Sequence, residues 1–169
     1  MSKTSKINCL FVFISLSVLW WGSKNSHSED SLNIQDHIEI RHVYAKYNNT
    51  IDDGDAKGWV SVWTKDGNFN GFKGHDALLR FANHYIDNQD GTLRRHWINN
   101  LEIKATPSGA SAYNYFMILD VSVNPPKVFS TGKNHDTFVK ANGIWKFDSR
   151  TSWSADGTRI TIQGIPTAD

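Results

Sequence analysis

A chain of 169 residues holds about one domain, and 39% hydrophobic against 21% charged residues places it among sequences that fold. Lys and Arg number 18 against 17 Asp and Glu, with no basic block, which excludes the electrostatic footprint that a nucleic-acid backbone demands. Seven Trp, nine Phe and five Tyr suit a packed core and a ligand cavity equally well.

Residues 1–27 read as an export signal: Lys3 and Lys6 give a positive start, and Ile7 to Trp21 is an uncharged, largely apolar run ending before Gly22 and Ser23. The run is shorter than the about 20 apolar residues of a membrane-spanning helix. An uncleaved anchor is the alternative, favoured by Trp20 and Trp21 and by the lack of an Ala-x-Ala site, so the N-terminus could also tether the protein to a membrane. Either way the expected location is outside the cytoplasm, periplasmic or secreted. Cleavage would remove Cys9, the only cysteine, and with it disulfides, Cys-metal sites and a Cys nucleophile. It would also remove Lys3, Lys6 and Lys24, leaving 15 basic against 17 acidic residues.

The folded part is expected over 28–154. Ser31 is placed to cap a helix whose inner face carries Ile40, Val43, Tyr44, Tyr47 and Ile51 at three- and four-residue steps. Asp52-Asp53-Gly54-Asp55 ends it, and Asp55 starts a second short helix with Trp59, Val62 and Trp63. A turn at Lys65–Asn68, a brief strand around Phe69 and Phe72, and a helix from Gly74 to about Tyr85 follow. Beyond Asp90-Gly91 the period changes to alternation, giving strands at 94–105, 111–123, 128–140 and 144–153. Pro107-Ser108-Gly109 and Ala141-Asn142-Gly143 are hairpin turns, and Asn124–Lys127 is a looser link because proline donates to no ladder. Helices first and antiparallel strands after them make an α+β fold. Residues 155–169 are expected to be a C-terminal extension under little constraint.

The ordered set Tyr47-x4-Asp52-x-Gly54-Asp55, Trp59, Trp63, Asp66-Gly67, Gly74, Arg95-His96, Asn100, Gly132-x3-Asp136-x-Phe138 and Gly143-x-Trp145-x-Phe147-x2-Arg150 resembles the SnoaL-like family of the nuclear-transport-factor-2-like superfamily. The resemblance covers about Ser31 to Trp153, and departs from it at Asn134, where the family often has Tyr. It implies a cone-shaped, curved antiparallel sheet wrapped around N-terminal helices, an α+β barrel holding a compact, mostly apolar or aromatic ligand. The superfamily includes scytalone dehydratase, ketosteroid isomerase, polyketide cyclases and bile-acid dehydratases, and also proteins that are not enzymes. It further implies a cofactor-free site and a homodimer or higher homo-oligomer.

Tyr47 and Asp52 lie five apart at the end of the first helix, and strand alternation from His96 puts Ile98 and Asn100 on its face. A His oriented by a carboxylate can remove a proton beside a carbonyl while a Tyr hydroxyl steadies the developing oxyanion, the chemistry of a dehydratase or isomerase. Tyr47, Asp52 and His96 are therefore the catalytic candidates; Asp52 as a helix cap, Tyr47 as a core aromatic and His96 as a satisfied core histidine are the alternatives. By resemblance, Asn134 would hydrogen-bond the substrate; Trp63, Phe69, Tyr113 and Trp153 are candidate walls. Asp136 could join them, or could pair with Arg150 as a structural bridge, the favoured reading. No metal site is expected, because His37 and His42, and His75 and His84, lack ligand spacing. A pocket that binds without turnover, or an association module using the outer sheet face, are the rival functions.

Overall fold

The computed structural model describes residues 31–162 and 165; the export signal expected over 1–27, with Cys9, lies outside them. Helix α1 runs Ile34–Asp52, α2 Ala56–Val60 and α3 Gly74–Asp87; strands β1 to β6 are Trp63–Phe69, Phe72–Lys73, Arg94–Thr106, Gly109–Asp120, Lys127–Ala141 and Ile144–Ser154. They form an α+β structure with one sheet in the order β2-β1-β6-β5-β4-β3. The four long strands are antiparallel as expected, but β1 runs parallel to β6, so the sheet is mixed, and β2 and β3 leave its edges open. Helix α1 packs against both β3 and β6. Those strands are three places apart in the sheet, about 14 Å if the sheet were flat, so it curls to reach both sides of one helix.

The cap of α1 is Asn33 rather than Ser31. Its side chain accepts the Asp36 N–H at 2.9 Å, and the Asp36 carboxylate accepts the Asn33 N–H at 3.1 Å, a reciprocal pair that Ser31 is too far upstream to make. Asp36 also accepts from Lys140 at 2.8 Å and from the Trp145 indole at 2.9 Å, which ties the start of the helix to the β5–β6 hairpin. The expected periodic face is real: Ile40, Tyr44, Tyr47 and Ile51 are buried. Asp55 caps α2, accepting the Gly58 N–H at 2.8 Å. Trp63 is not on that helix; it opens β1, because the chain leaves α2 at Val60 and the Val62 carbonyl accepts the Phe147 N–H of β6.

The core is aromatic. Trp59, Trp63, Phe72, Phe138 and Phe147 are essentially inaccessible, with ring centroids 5.0 Å apart for Trp63–Phe147 and 4.4 Å for Phe138–Phe147; such pairs add about 0.5–1.5 kcal/mol each beyond area burial. The Asn142-Gly143 turn has positive φ at both positions, 51° and 78°, as a two-residue hairpin requires. In β3 the register shifts between Asn99 and Glu102, and Asn100 takes φ 51°. This bulge turns Asn100 away from the face of His96 and Ile98, and it borders a groove on the other face with Glu102 and Tyr113.

Candidate active site

Between the inner sheet face, the C-terminal half of α1 and the side of α3 lies a cavity of about 250 Å³, just below the usual about 300–1,000 Å³ of small-molecule sites. Its walls are mostly apolar, with Ile51 from α1, Phe81 from α3, and Ile98, Phe116 and Ile118 from β3 and β4. Strand parity decides which residues face it. Asn114 and Asn134 are paired across β4 and β5 and both are buried, so the even-numbered residues around them point inward and the odd ones outward.

His96 borders the cavity and meets Asp52, which arrives from the last turn of α1. Nδ1 lies 2.5 Å from Asp52 Oδ1, and the His96 backbone N–H donates to Oδ2 at 2.8 Å, so one carboxylate holds both the ring and the strand that carries it. The two side chains are 15% and 7% exposed, leaving little water to compete for this contact. With Nδ1–H directed at the carboxylate, the neutral imidazole keeps its lone pair on Nε2, the tautomer a general base needs. Arg95 reinforces the junction by donating to the Asp52 carbonyl at 3.1 Å.

Tyr47 also lines the cavity, behind Ile51 on the same helix face. Burial pushes its hydroxyl pKa up, with the Arg150 guanidinium 4.3 Å above the ring opposing, so the phenol stays protonated and able to donate. Beneath it sits a polar network. Asp136, fully buried, accepts from Arg150 Nε at 2.7 Å and Nη2 at 2.9 Å, from the Tyr44 hydroxyl, and from Asn114 Nδ2 at 3.0 Å. Burial works against the Arg150 charge, but its interactions with the surrounding groups, Asp136 foremost, together outweigh it and the guanidinium pKa lies above its ordinary value. Asn134 Nδ2 donates to Asn114 Oδ1 at 2.9 Å, and the Ser152 hydroxyl donates to Asn134 Oδ1 at 2.7 Å.

Of the residues expected at the site, Tyr47, His96, Phe69 and Asn134 line the cavity, with Asp52 directly behind His96. Four expected ligand contacts do not line it. Trp63 is wholly buried against Phe147 and Trp59. Tyr113 and Trp153 occupy odd positions opposite His135 and Lys133, and so stand on the outer face. Asp136 has its carboxylate consumed by the bridge to Arg150 and the donations from Tyr44 and Asn114. The site also has parts that sequence reasoning missed. Ile160 and Ile162 belong to the stretch expected to be unconstrained, yet the Ile160 N–H donates to the Ser152 carbonyl at 2.9 Å and both side chains wall the cavity. Asn70, Tyr85 and His84 line it as well; Asn70 is legible in the sequence only as a turn residue before Gly71. Among the described residues, no group of three or more His, Asp and Glu side chains is arranged to hold a metal ion.

Solved structures similar in fold include Aln2 from a Streptomyces species, at 22% identity and TM-score 0.69 over 74% of this chain and 94% of that one. ActVI-ORFA from Streptomyces coelicolor matches at 20% identity and TM-score 0.66, over 73% and 98%. An NTF2-like protein with a cystatin-like fold from Novosphingobium aromaticivorans matches at 22% and 0.63, over 73% and 84%. At these identities the likeness is one of fold. No curated protein sequence matches the chain. The SnoaL-like domain matches residues 33–151, a span running from the Asn33 cap into β6, and on that match the chain belongs to the SnoaL-like family.

Proposed function

We propose that this cavity binds a compact, largely apolar cyclic molecule and catalyses proton transfer beside a carbonyl, as a cofactor-free dehydratase or isomerase. The observation that carries this reading is the His96–Asp52 pair on the wall of an otherwise apolar hollow. His96 Nε2 removes the α proton, Asp52 fixes the ring and balances the imidazolium that forms, and the Tyr47 hydroxyl donates to the oxygen that gains charge. In a dehydration the imidazolium returns its proton to the departing hydroxyl; in an isomerisation it returns it to another carbon. General acid–base assistance of this kind supplies about 10²–10⁴-fold.

The test is deuterium uptake from solvent into 1-decalone, an apolar bicyclic ketone, followed by mass spectrometry with the full-length protein. Wild type should exceed the buffer rate. His96→Gln should lose at least about 10²-fold of that excess, and Asp52→Asn should lose rate while the ketone still binds. Binding without faster uptake would instead support a second reading, a ligand carrier. A third reading, association through the outer sheet face, is favoured by Trp97, Tyr113 and Tyr115, which are 58%, 51% and 57% exposed there; a homodimer at micromolar concentration in sedimentation would support it. Export, by cleavage or with a retained membrane tether, rests on the charge and hydropathy of residues 1–27 and is tested by locating the protein after fractionation.

A further inference from the structure

Asn134, the amide expected to read the substrate, is engaged at both ends by its neighbours, whereas a second amide on the same cavity is not. Asn70 sits in the β1–β2 turn with φ 50°, followed by Gly71, a left-handed position that Asn tolerates. That explains its backbone but not its side chain. Its Oδ1 accepts the Ser152 N–H at 2.8 Å, and its own N–H donates to the Arg150 carbonyl at 3.0 Å, so the turn is pinned to β6 and the amide cannot be reversed without facing an N–H with an N–H. Nδ2 is thereby turned away from β6, buried and without a partner, on a residue that lines the cavity. The Tyr85 hydroxyl is in the same condition. It is buried with no hydrogen-bond partner, on a ring whose centroid is 5.9 Å from that of His96. Leaving such a donor unsatisfied costs about 1–3 kcal/mol, a cost that an acceptor delivered by a ligand would remove.

We infer that Asn70 and Tyr85 are two oxygen-reading residues of this site, and that the ligand carries at least two acceptor oxygens on an apolar ring framework. Tyr85 lies beside His96, toward the β3 edge of the sheet, and Asn70 joins β1 to β2 at the opposite edge. One oxygen would therefore sit near the reacting centre, beside His96, and the other at the turn that β6 holds. The inference rests on the reading of the cavity as a ligand site, and deepens it by specifying what the ligand bears.

Ketone oxygens only accept, so decalones isolate the two donors. Calorimetric titration of the full-length protein with 1-decalone and with a set of decalindiones should show at least one dione binding about three- to tenfold more tightly than the monoketone, the worth of one added hydrogen bond. Asn70→Asp keeps the acceptor for the Ser152 N–H and the tolerance for positive φ while deleting the donor, and should abolish that preference; Asn70→Gly, which keeps only the turn, should do the same. Tyr85→Phe should weaken every ketone by a similar factor while the melting temperature changes little, because in the free protein the hydroxyl makes no hydrogen bond of normal geometry and Arg94 still packs over the ring. A dione preference that survives both Asn70 variants, or a Tyr85→Phe protein that melts clearly lower and binds unchanged, overturns the inference. Equal binding of monoketone and diones overturns it while leaving the cavity a ligand site. No binding of any decalone overturns both.

Discussion

Replacing Asp136 by Ala should bring the protein close to unfolding. The carboxylate is wholly buried and takes four donations, two from an Arg150 that is itself 3% exposed, one from Tyr44 and one from Asn114. Deleting it leaves a guanidinium charge in the core without a counter-charge, which costs about 3–5 kcal/mol, and strands the Tyr44 hydroxyl proton at about 1–3 kcal/mol more, while Asn114 Nδ2 keeps the Tyr44 oxygen at 3.2 Å. A domain of this size has about 5–15 kcal/mol in total, so the variant should lose between about a quarter and all of its stability. Urea unfolding followed by tryptophan fluorescence reads this directly: the midpoint should fall steeply while the slope stays constant. The double variant Asp136→Leu with Arg150→Met removes both charges, and should recover most of the loss, since paired burial of charge is itself nearly neutral against an apolar pair. A single variant within about 1 kcal/mol of wild type, or a double variant worse than the sum of its parts, would refute this account of the network.

Gly132→Ala should destabilise by about 1–3 kcal/mol, because the added Cβ would lie 2.0 Å from the Trp153 carbonyl oxygen and 2.7 Å from the Phe116 ring; urea midpoints measure it, and ligand affinity should fall too, since Phe116 walls the cavity. Asp36 is held below the ordinary carboxyl value of 3.8, chiefly by its hydrogen bond from Lys140 and against the effect of burial. Its ionised form therefore stabilises the fold above about pH 4, and that contribution is lost as pH falls through the lower folded value. The stability gap between wild type and Asp36→Asn should be flat near neutrality and shrink below about pH 4, as urea midpoints over a pH series would show. Ending the chain after Ala155 removes the Ile160 and Ile162 wall; 1-decalone affinity measured by calorimetry should drop while melting changes little, both isoleucines being only partly buried.

Much of the fold is legible in the sequence because its signals are local. The spacing of Ile40, Tyr44, Tyr47 and Ile51 fixes the buried face of α1, and Asn142-Gly143 marks a two-residue hairpin from dihedral preference alone. The Asp52–His96 meeting is legible as an expectation because one residue ends a helix and the other begins a strand. What fails is parity and reach. Tyr113 and Trp153 suggest themselves as walls by their size, but facing is set by the pairing of Asn114 with Asn134, which only the assembled sheet reveals. Trp63 reads as part of a helix whose end at Val60 is decided by a bond to β6, distant in sequence. Asn100 loses its inward direction to one bulge. Ile160 and Ile162 carry no periodic signal, because a strap joined to β6 by a few backbone bonds needs none.

On the function proposed above, the protein holds its ligand in the apolar hollow bordered by the His96–Asp52 pair. Two-dimensional NMR of the full-length protein, titrated with 1-decalone, tests it most directly. Shifts are expected at Ile51, Ile98 and Ile118 methyls and at the His96 ring, all of which border the cavity, with Trp97, Tyr113 and Trp153 unmoved. Shifts confined to those outer-face residues, with the His96 ring silent, would contradict it.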